Sequence, residues 1–193
     1  MRHASLLTAA LVAVLSQASP AQAAPPTYRL EAAKSTLGFS FIQAGASNKG
    51  HFGRFDTTFA FDPAQLAASR LEVSVQIASL DTGDKDRDST LKSPDLFDAA
   101  RFPAARFLAT VITRLDANRY QASGKLTIRD VTRDLNVPFT FRTAPGGGPS
   151  VATMAGEVLI RRLDYGVGQG EWKSTEGAGN EVTVSFTLTL HAP

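Results

Sequence analysis

Three histidines, at positions 3, 51 and 191, and no cysteine set the limits of the chemistry open to this chain. The missing thiols exclude disulfides, thiolate nucleophiles, iron–sulfur clusters and covalently attached haem. A Ser-His-Asp site needs an imidazole beside the serine, and no serine stands in a Gly-x-Ser-x-Gly elbow. His191 lies near the end of the chain, where a solvated tail histidine is the simpler reading. The densest set of charges is Ser79 to Pro103, with six Asp and four Lys or Arg in 25 residues. Asp81, Asp84, Asp86 and Asp88 are oxygen donors in a row, but the run lacks the glycine and terminal glutamate of a calcium loop, and Lys85 and Arg87 offset its charge. Zinc is no better served by two distant histidines without an H-E-x-x-H pair. Carboxylates for glycoside chemistry are plentiful, but sequence alone cannot pair them across a cleft. No catalytic residue and no metal ligand is therefore assigned. A hydrolase remains a third reading, one in which His51 converges with a serine or carboxylate.

The elements around these residues read as strands. Tyr28–Glu31, continued by Thr36–Gln43, forms the first. A polar piece, GASNKG, separates it from His51–Asp62, where Phe55, Thr57, Phe59 and Phe61 share one face. Leu71–Ile77, Ala105–Leu115, Arg119–Ile128, Val131–Arg142 and a last strand from Val182 to Leu190 keep a two-residue apolar period, and Val151–Leu163 is a further strand, less regular around Gly156. In Ala105–Leu115 the alternation places Phe107, Ala109 and Val111 on one face. Pro138 marks an edge or bulge in its strand. Pro145–Ser150 is a short connecting loop, and Gly166–Gly179 a longer one carrying Trp172. Ser79–Pro103 breaks the pattern and suits one or two short helical turns in a crossover, capped by Asp88, Ser89 or Ser93. Eight antiparallel strands with one helical crossover predict an all-β fold closed into a barrel, which removes exposed edges. A two-layer sandwich is the other arrangement that strand number permits.

Arg2 and His3, the apolar run Leu6–Leu15 and Ala21-Gln22-Ala23 read as a secretory signal peptide over residues 1–23, with a single domain over 24–193. The expected location is the periplasm. Of 20 Lys and Arg, cleavage removes Arg2 and leaves 19 against 18 Asp and Glu, too even a balance for a nucleic-acid surface. The remaining positive signal is apolar. Phenylalanines on strand after strand are ordinarily a packed core, but in an eight-stranded barrel they also suit the wall of a concave apolar site. Small residues on the same faces, Ala109, Ala122 and Gly124, would help leave room.

The stretches GRF at Gly53–Phe55, SLDTGDKDRDSTLKSPDLFDAARFPAARF, YQASGKLTIRDVTRDLNVPF and RRLDYGVGQGEW carry a family pattern. Over Tyr28–Leu190 the chain resembles the YceI-like family of exported lipid-binding proteins. That resemblance implies an extended, lipocalin-like eight-stranded barrel with a helical insertion, no catalytic role, and a polyisoprenoid or quinone-like lipid in the lumen without any covalent cofactor. It places Phe39, Phe41, Phe59, Val75, Phe107, Phe139 and Phe186 as candidate ligand-binding residues. Thr82, Arg87 and Asp88 are the crossover residues that shape the mouth, with Trp172 beside them or as a cap over the core. The sequence is also similar to a branch found near cytochrome b561-type proteins, so a non-catalytic module for a b-type membrane cytochrome is the alternative function. A homodimer is a further partner expectation. Many relatives carry a histidine where this chain has Gln43, which leaves the contact to a ligand head group open.

Overall fold

The computed structural model describes residues 23–143 and 151–192, so the signal-peptide expectation and the Pro145–Ser150 loop lie outside the described residues. Eleven strand segments are present: β1 (Thr27–Leu30), β2 (Thr36–Gln43), β3 (Ala46–Phe52), β4 (Phe55–Ala60), β5 (Arg70–Gln76), β6 (Leu80–Asp81), β7 (Ala104–Arg114), β8 (Arg119–Ile128), β9 (Val131–Thr143), β10 (Val151–Arg161) and β11 (Ala178–His191). Helix α1 (Lys85–Lys92) is the helical part of the crossover.

These segments make one eight-stranded antiparallel barrel. The ring runs β1-β4-β5-β7-β8-β9-β10-β11, and β1 closes it by pairing Arg29 with His191 and Leu30 with Leu190 of β11. The other three segments continue the first three strands of the ring past a break in each. A 3-10 turn at Ala32–Lys34 separates β1 from β2, Gly53-Arg54 separates β3 from β4, and a 3-10 turn at Ile77–Ser79 separates β5 from β6. The breaks lie side by side and are stitched together. Gly53 N–H donates to the Ser79 carbonyl at 3.0 Å, Arg54 N–H to Ser79 Oγ at 3.0 Å, and Gln76 N–H to the Arg54 carbonyl at 3.0 Å. Beyond the breaks, the sheet continues from β11 through β2 and β3 to β6 and stops there.

Three readings from sequence need correction. GASNKG is not a connector: Ala46–Phe52 is strand β3, joined to β2 by the two-residue turn Ala44-Gly45, both with positive φ (49° and 77°). Its side chains are mostly exposed, so no apolar alternation marks it. In β7 the pairing slips between Ala109 and Val111 opposite Gly124 and Ser123 of β8. The extra residue of this bulge reverses the face that follows, so Ile112 is buried and Val111 is exposed. The helix begins at Lys85, earlier than the expected caps, with Asp84 as its N-cap. Pro138 falls where expected, because the β9–β10 ladder ends at Thr140 opposite Ala155 and leaves the rest of β9 as a local edge.

Gly124 shows how closely the bulge is packed. A Cβ there would stand 2.3 Å from the Leu108 carbonyl oxygen and 2.6 Å from Ala109 Cα, both of them backbone atoms. Gly124→Ala should therefore cost about 1–3 kcal/mol in urea denaturation, the usual range for overpacking. An unchanged midpoint would contradict this account of the bulge.

Candidate functional site

The ring end of the barrel is filled by aromatic rings. Phe59 and Phe61 stack at 4.9 Å, and Phe61 meets Phe141 at 4.8 Å and Tyr120 at 5.0 Å. Tyr28 packs edge-on against Phe141 at 5.4 Å, and Tyr120 stacks on Phe139 at 5.5 Å. Ala109 and Ala122, fully buried here, make room for rings and not for a ligand.

From the inner ring outward past the strand breaks the interior is hollow. A cavity of about 700 Å³ runs along the barrel, within the size range of small-molecule sites. Its wall is carbon from β2, β4, β5 and β7 on one side (Phe39, Phe41, Phe55, Val75, Phe107) and from β9, β10 and β11 on the other (Leu135, Val137, Val158, Val184, Phe186). Val75, Val158, Val184 and Phe186 point inward yet stay only half-buried, because they face open space instead of other side chains. Two gaps in the hydrogen-bonded wall go with the hollow end: β6 has no partner beyond β3, and β9 parts from β10 after four residue pairs.

The polar lining gathers at one end, where Gln43, Ala46 and Asn48 of the β2–β3 hairpin face Asp84, Asp86, Arg87 and Thr90 of α1 and its cap. Asp84 and Asp86 are exposed, so the cavity meets solvent there. The crossover that forms this rim is tied down internally. Asp88 Oδ1 accepts from the Thr82 hydroxyl at 2.7 Å and from Thr82 N–H at 2.9 Å. Arg129, at the β8–β9 turn with φ 56°, holds the rest of the crossover. Its guanidinium donates to the carbonyls of Pro94 and Leu96, lies 3.9 Å from the Asp98 carboxylate and sits over the Phe102 ring at 5.4 Å.

Asp84 starts α1 by accepting hydrogen bonds from the N–H groups of Asp86 and Arg87, each at 3.0 Å. The bond from Arg87 N–H, followed by the nearby Arg87 charge and the bond from Asp86 N–H, holds its carboxyl below the ordinary value. A carboxylate favoured by the fold stabilises it above the unfolded-state pKa, and that contribution is lost as pH falls through the lowered folded pKa. The Asp86 and Arg87 amide resonances should therefore move together in an acid titration with a midpoint below that of a free aspartate. Asp84→Asn should flatten the titration while keeping the cap. A midpoint at or above the free value would contradict the cap assignment.

The long loop after β10 closes the other side of this end, and Arg162 builds it. Its side chain is 8% exposed, and all five guanidinium N–H groups are engaged. Nε donates to Gly179 O at 2.9 Å, Nη1 to Val167 O and Trp172 O at 2.9 and 2.7 Å, and Nη2 to Ser174 O and Ala178 O at 3.1 and 2.8 Å. Burial pulls its pKa down from the ordinary arginine value. Gly168, with φ 132°, passes so near that a Cβ would lie 2.1 Å from Arg162 Nη1. The loop is joined to the crossover by Gln169 N–H, which donates to Asp95 O at 2.7 Å, and to the hairpin by Ala44 N–H, which donates to Gly177 O at 2.9 Å.

Of the residues singled out from sequence, Phe39, Phe41, Val75, Phe107, Phe186, Arg87 and Trp172 line the cavity. Phe59 and Phe139 stand in the filled aromatic end, and Thr82 and Asp88 bond to each other within the crossover. Sequence reasoning missed Arg162 and Thr57. The first is marked only by its place in RRLDYGVG, and the second only as the one hydroxyl on a phenylalanine face. The histidines do not converge. His51 is exposed on β3, opposite Gly38 and Asp81, while His191 Nε2 lies 2.7 Å from Glu31 Oε2 as part of the barrel closure. Among the described residues no group of three or more His, Cys, Asp or Glu could hold a metal ion.

Fold and cavity together define a β-barrel that encloses an apolar space and opens it at one end. The chain belongs to the YceI-like family: the model of the YceI-like domain matches residues 28–190. A UPF0312 protein of Vibrio cholerae is 31% identical over 167 residues, covering 84% of this chain and 88% of the relative. The chain is also similar to the crystal structure of Burkholderia cenocepacia BcnA, at 32% identity and a TM-score of 0.78, with 83% of this chain and 98% of that one covered. A polyisoprenoid binding domain from Saccharophagus degradans shares the fold at 17% identity and a TM-score of 0.68, covering 87% of this chain and 99% of that one.

Proposed function

We propose that the protein binds or carries an isoprenoid-like lipid, of polyprenyl or quinone type, in the hollow half of its barrel, and that it does so in the periplasm after export. The observation that carries this reading is the continuous carbon-lined cavity of about 700 Å³ open at a polar rim. An exposed cavity of that composition gains hydrophobic free energy only when an apolar guest fills it, at about 25 cal/mol per Å² of apolar surface removed from water. The YceI-like membership and the name of the Saccharophagus domain support the lipid class. Among the described residues His51 is exposed on β3 and has no serine or carboxylate within hydrogen-bond distance of its ring, so a hydrolase built on it gains no support.

The candidate ligand-binding residues are Phe39, Phe41, Val75, Phe107 and Phe186 along the wall, with Arg87 and Trp172 near its polar end. A b-type membrane cytochrome and a second copy of the chain are partner assignments that the cavity does not require. Gentle purification of the exported protein, organic extraction and mass spectrometry should release a stoichiometric isoprenoid-like lipid. Protein that comes out empty and takes up no long-chain isoprenoid would refute the reading. Capture of a b-type cytochrome by the lipid-free protein would put the partner module in its place.

A further inference from the structure

The innermost part of the cavity wall holds one polar atom out of place. On β4 the inward residues run Phe55, Thr57, Phe59; Phe55 and Thr57 line the cavity, and Phe59 belongs to the filled aromatic end. Thr57 therefore stands at the floor, where the hollow half meets the packed half. It is 6% exposed, and its Oγ1, which has essentially no accessible surface, finds no hydrogen-bond partner among the described residues; a turn of χ1 to another staggered rotamer brings the hydroxyl to the cavity. Thr57 sits across from Val73 of β5, with Leu71 and Phe107 also in the wall, so its surroundings are carbon. Valine would fill the same shape without the cost of a buried, unpaired hydroxyl.

From this geometry we infer that Thr57 Oγ1 is a ligand-binding group that takes the oxygenated end of the lipid, a neutral hydroxyl or carbonyl, at the floor of the cavity. The inference rests on the lipid-binding reading and adds the ligand's chemistry and orientation. A threonine hydroxyl both donates and accepts, so it satisfies an alcohol or a quinone carbonyl equally. A phosphate or other anion does not fit this floor. Burying its charge needs a paired cation, and the buried cation of the lining, Arg162, has every N–H already committed to a carbonyl. The oxygen function therefore points inward, and the chain runs towards the polar rim.

The test is a competition between geranylgeraniol and the matching hydrocarbon without its hydroxyl, offered together to the protein and counted by mass spectrometry after extraction. Wild type should prefer the alcohol by about three- to tenfold, the worth of one net hydrogen bond. Thr57→Val should abolish that preference while still loading the hydrocarbon. Thr57→Ser, which keeps the hydroxyl, should retain it. An equal preference in wild type and Thr57→Val would overturn the Thr57 assignment and leave lipid binding standing. Failure of wild type to load either compound would overturn both.

Discussion

Replacing Arg162 with methionine should lower stability by about 3–5 kcal/mol, among the larger effects a single substitution gives. The substitution keeps much of the side chain's apolar volume but removes five donors, leaving the carbonyls of Val167, Trp172, Ser174, Ala178 and Gly179 without their partner. For a domain of this size, such a loss corresponds to a fall in Tm of roughly 6–20 °C. The damage should begin locally, since three of these carbonyls lie on the loop between β10 and β11 and the other two on the first residues of β11, so protease nicking between residues 163 and 178 should precede global unfolding. Arg162→Lys should recover only part of the loss, because an ammonium brings three donors from a point and cannot span five carbonyls. A Tm within about 2 °C of wild type for Arg162→Met would show that the loop stands without its clip.

The second large effect is on ligand, with little on the fold. Val184 of β11 lies between Val158 of β10 and Phe39 of β2 in the pairing, and all three line the cavity. Val184→Trp should place an indole in open space, lower affinity for a long-chain isoprenoid by at least about tenfold, and change stability by less than about 1 kcal/mol. The same logic gives the opposite result at the filled end. Ala122 has no exposed surface and packs in the aromatic core, so Ala122→Leu should cost about 1–3 kcal/mol and leave affinity intact. If both variants lose stability equally, the barrel is packed throughout and the hollow half does not exist in solution.

That contrast also marks where the sequence stops being informative. The strands were legible because each carries its own local signal, a two-residue alternation that needs no knowledge of its neighbours. β3 carries no such signal, since the residues it turns inward, Ala46, Asn48, Gly50 and Phe52, are mostly small or polar and its position comes from pairing with β2. One inserted residue at the β7 bulge reverses every later face, a shift that composition does not register. The division between hollow and filled halves is less legible still. Phe59 and Phe107 have the same residue type and the same inward alternation, yet one is enclosed by rings from β1, β9 and Phe61 just after β4, and the other faces the cavity. What separates them is which strands break, at Ala32–Lys34, Gly53-Arg54 and Ile77–Ser79, and where β9 parts from β10. Those are relations between distant segments. The crossover shows the same limit. The family resemblance singled out Thr82, Arg87 and Asp88 together, but only the folded chain separates the Thr82–Asp88 internal bond from Arg87 at the cavity.

The most direct test of the hollow half is a methyl-resolved NMR titration of the protein over residues 24–193 with a long-chain isoprenoid. A hollow half gives saturable shifts of the methyls of Val75, Leu135, Val158 and Val184, with those of Ile112, Ala122 and Leu190 in the filled half nearly unmoved. Shifts confined to outward methyls such as Leu108 and Val111, or no saturable shift at all, would contradict it.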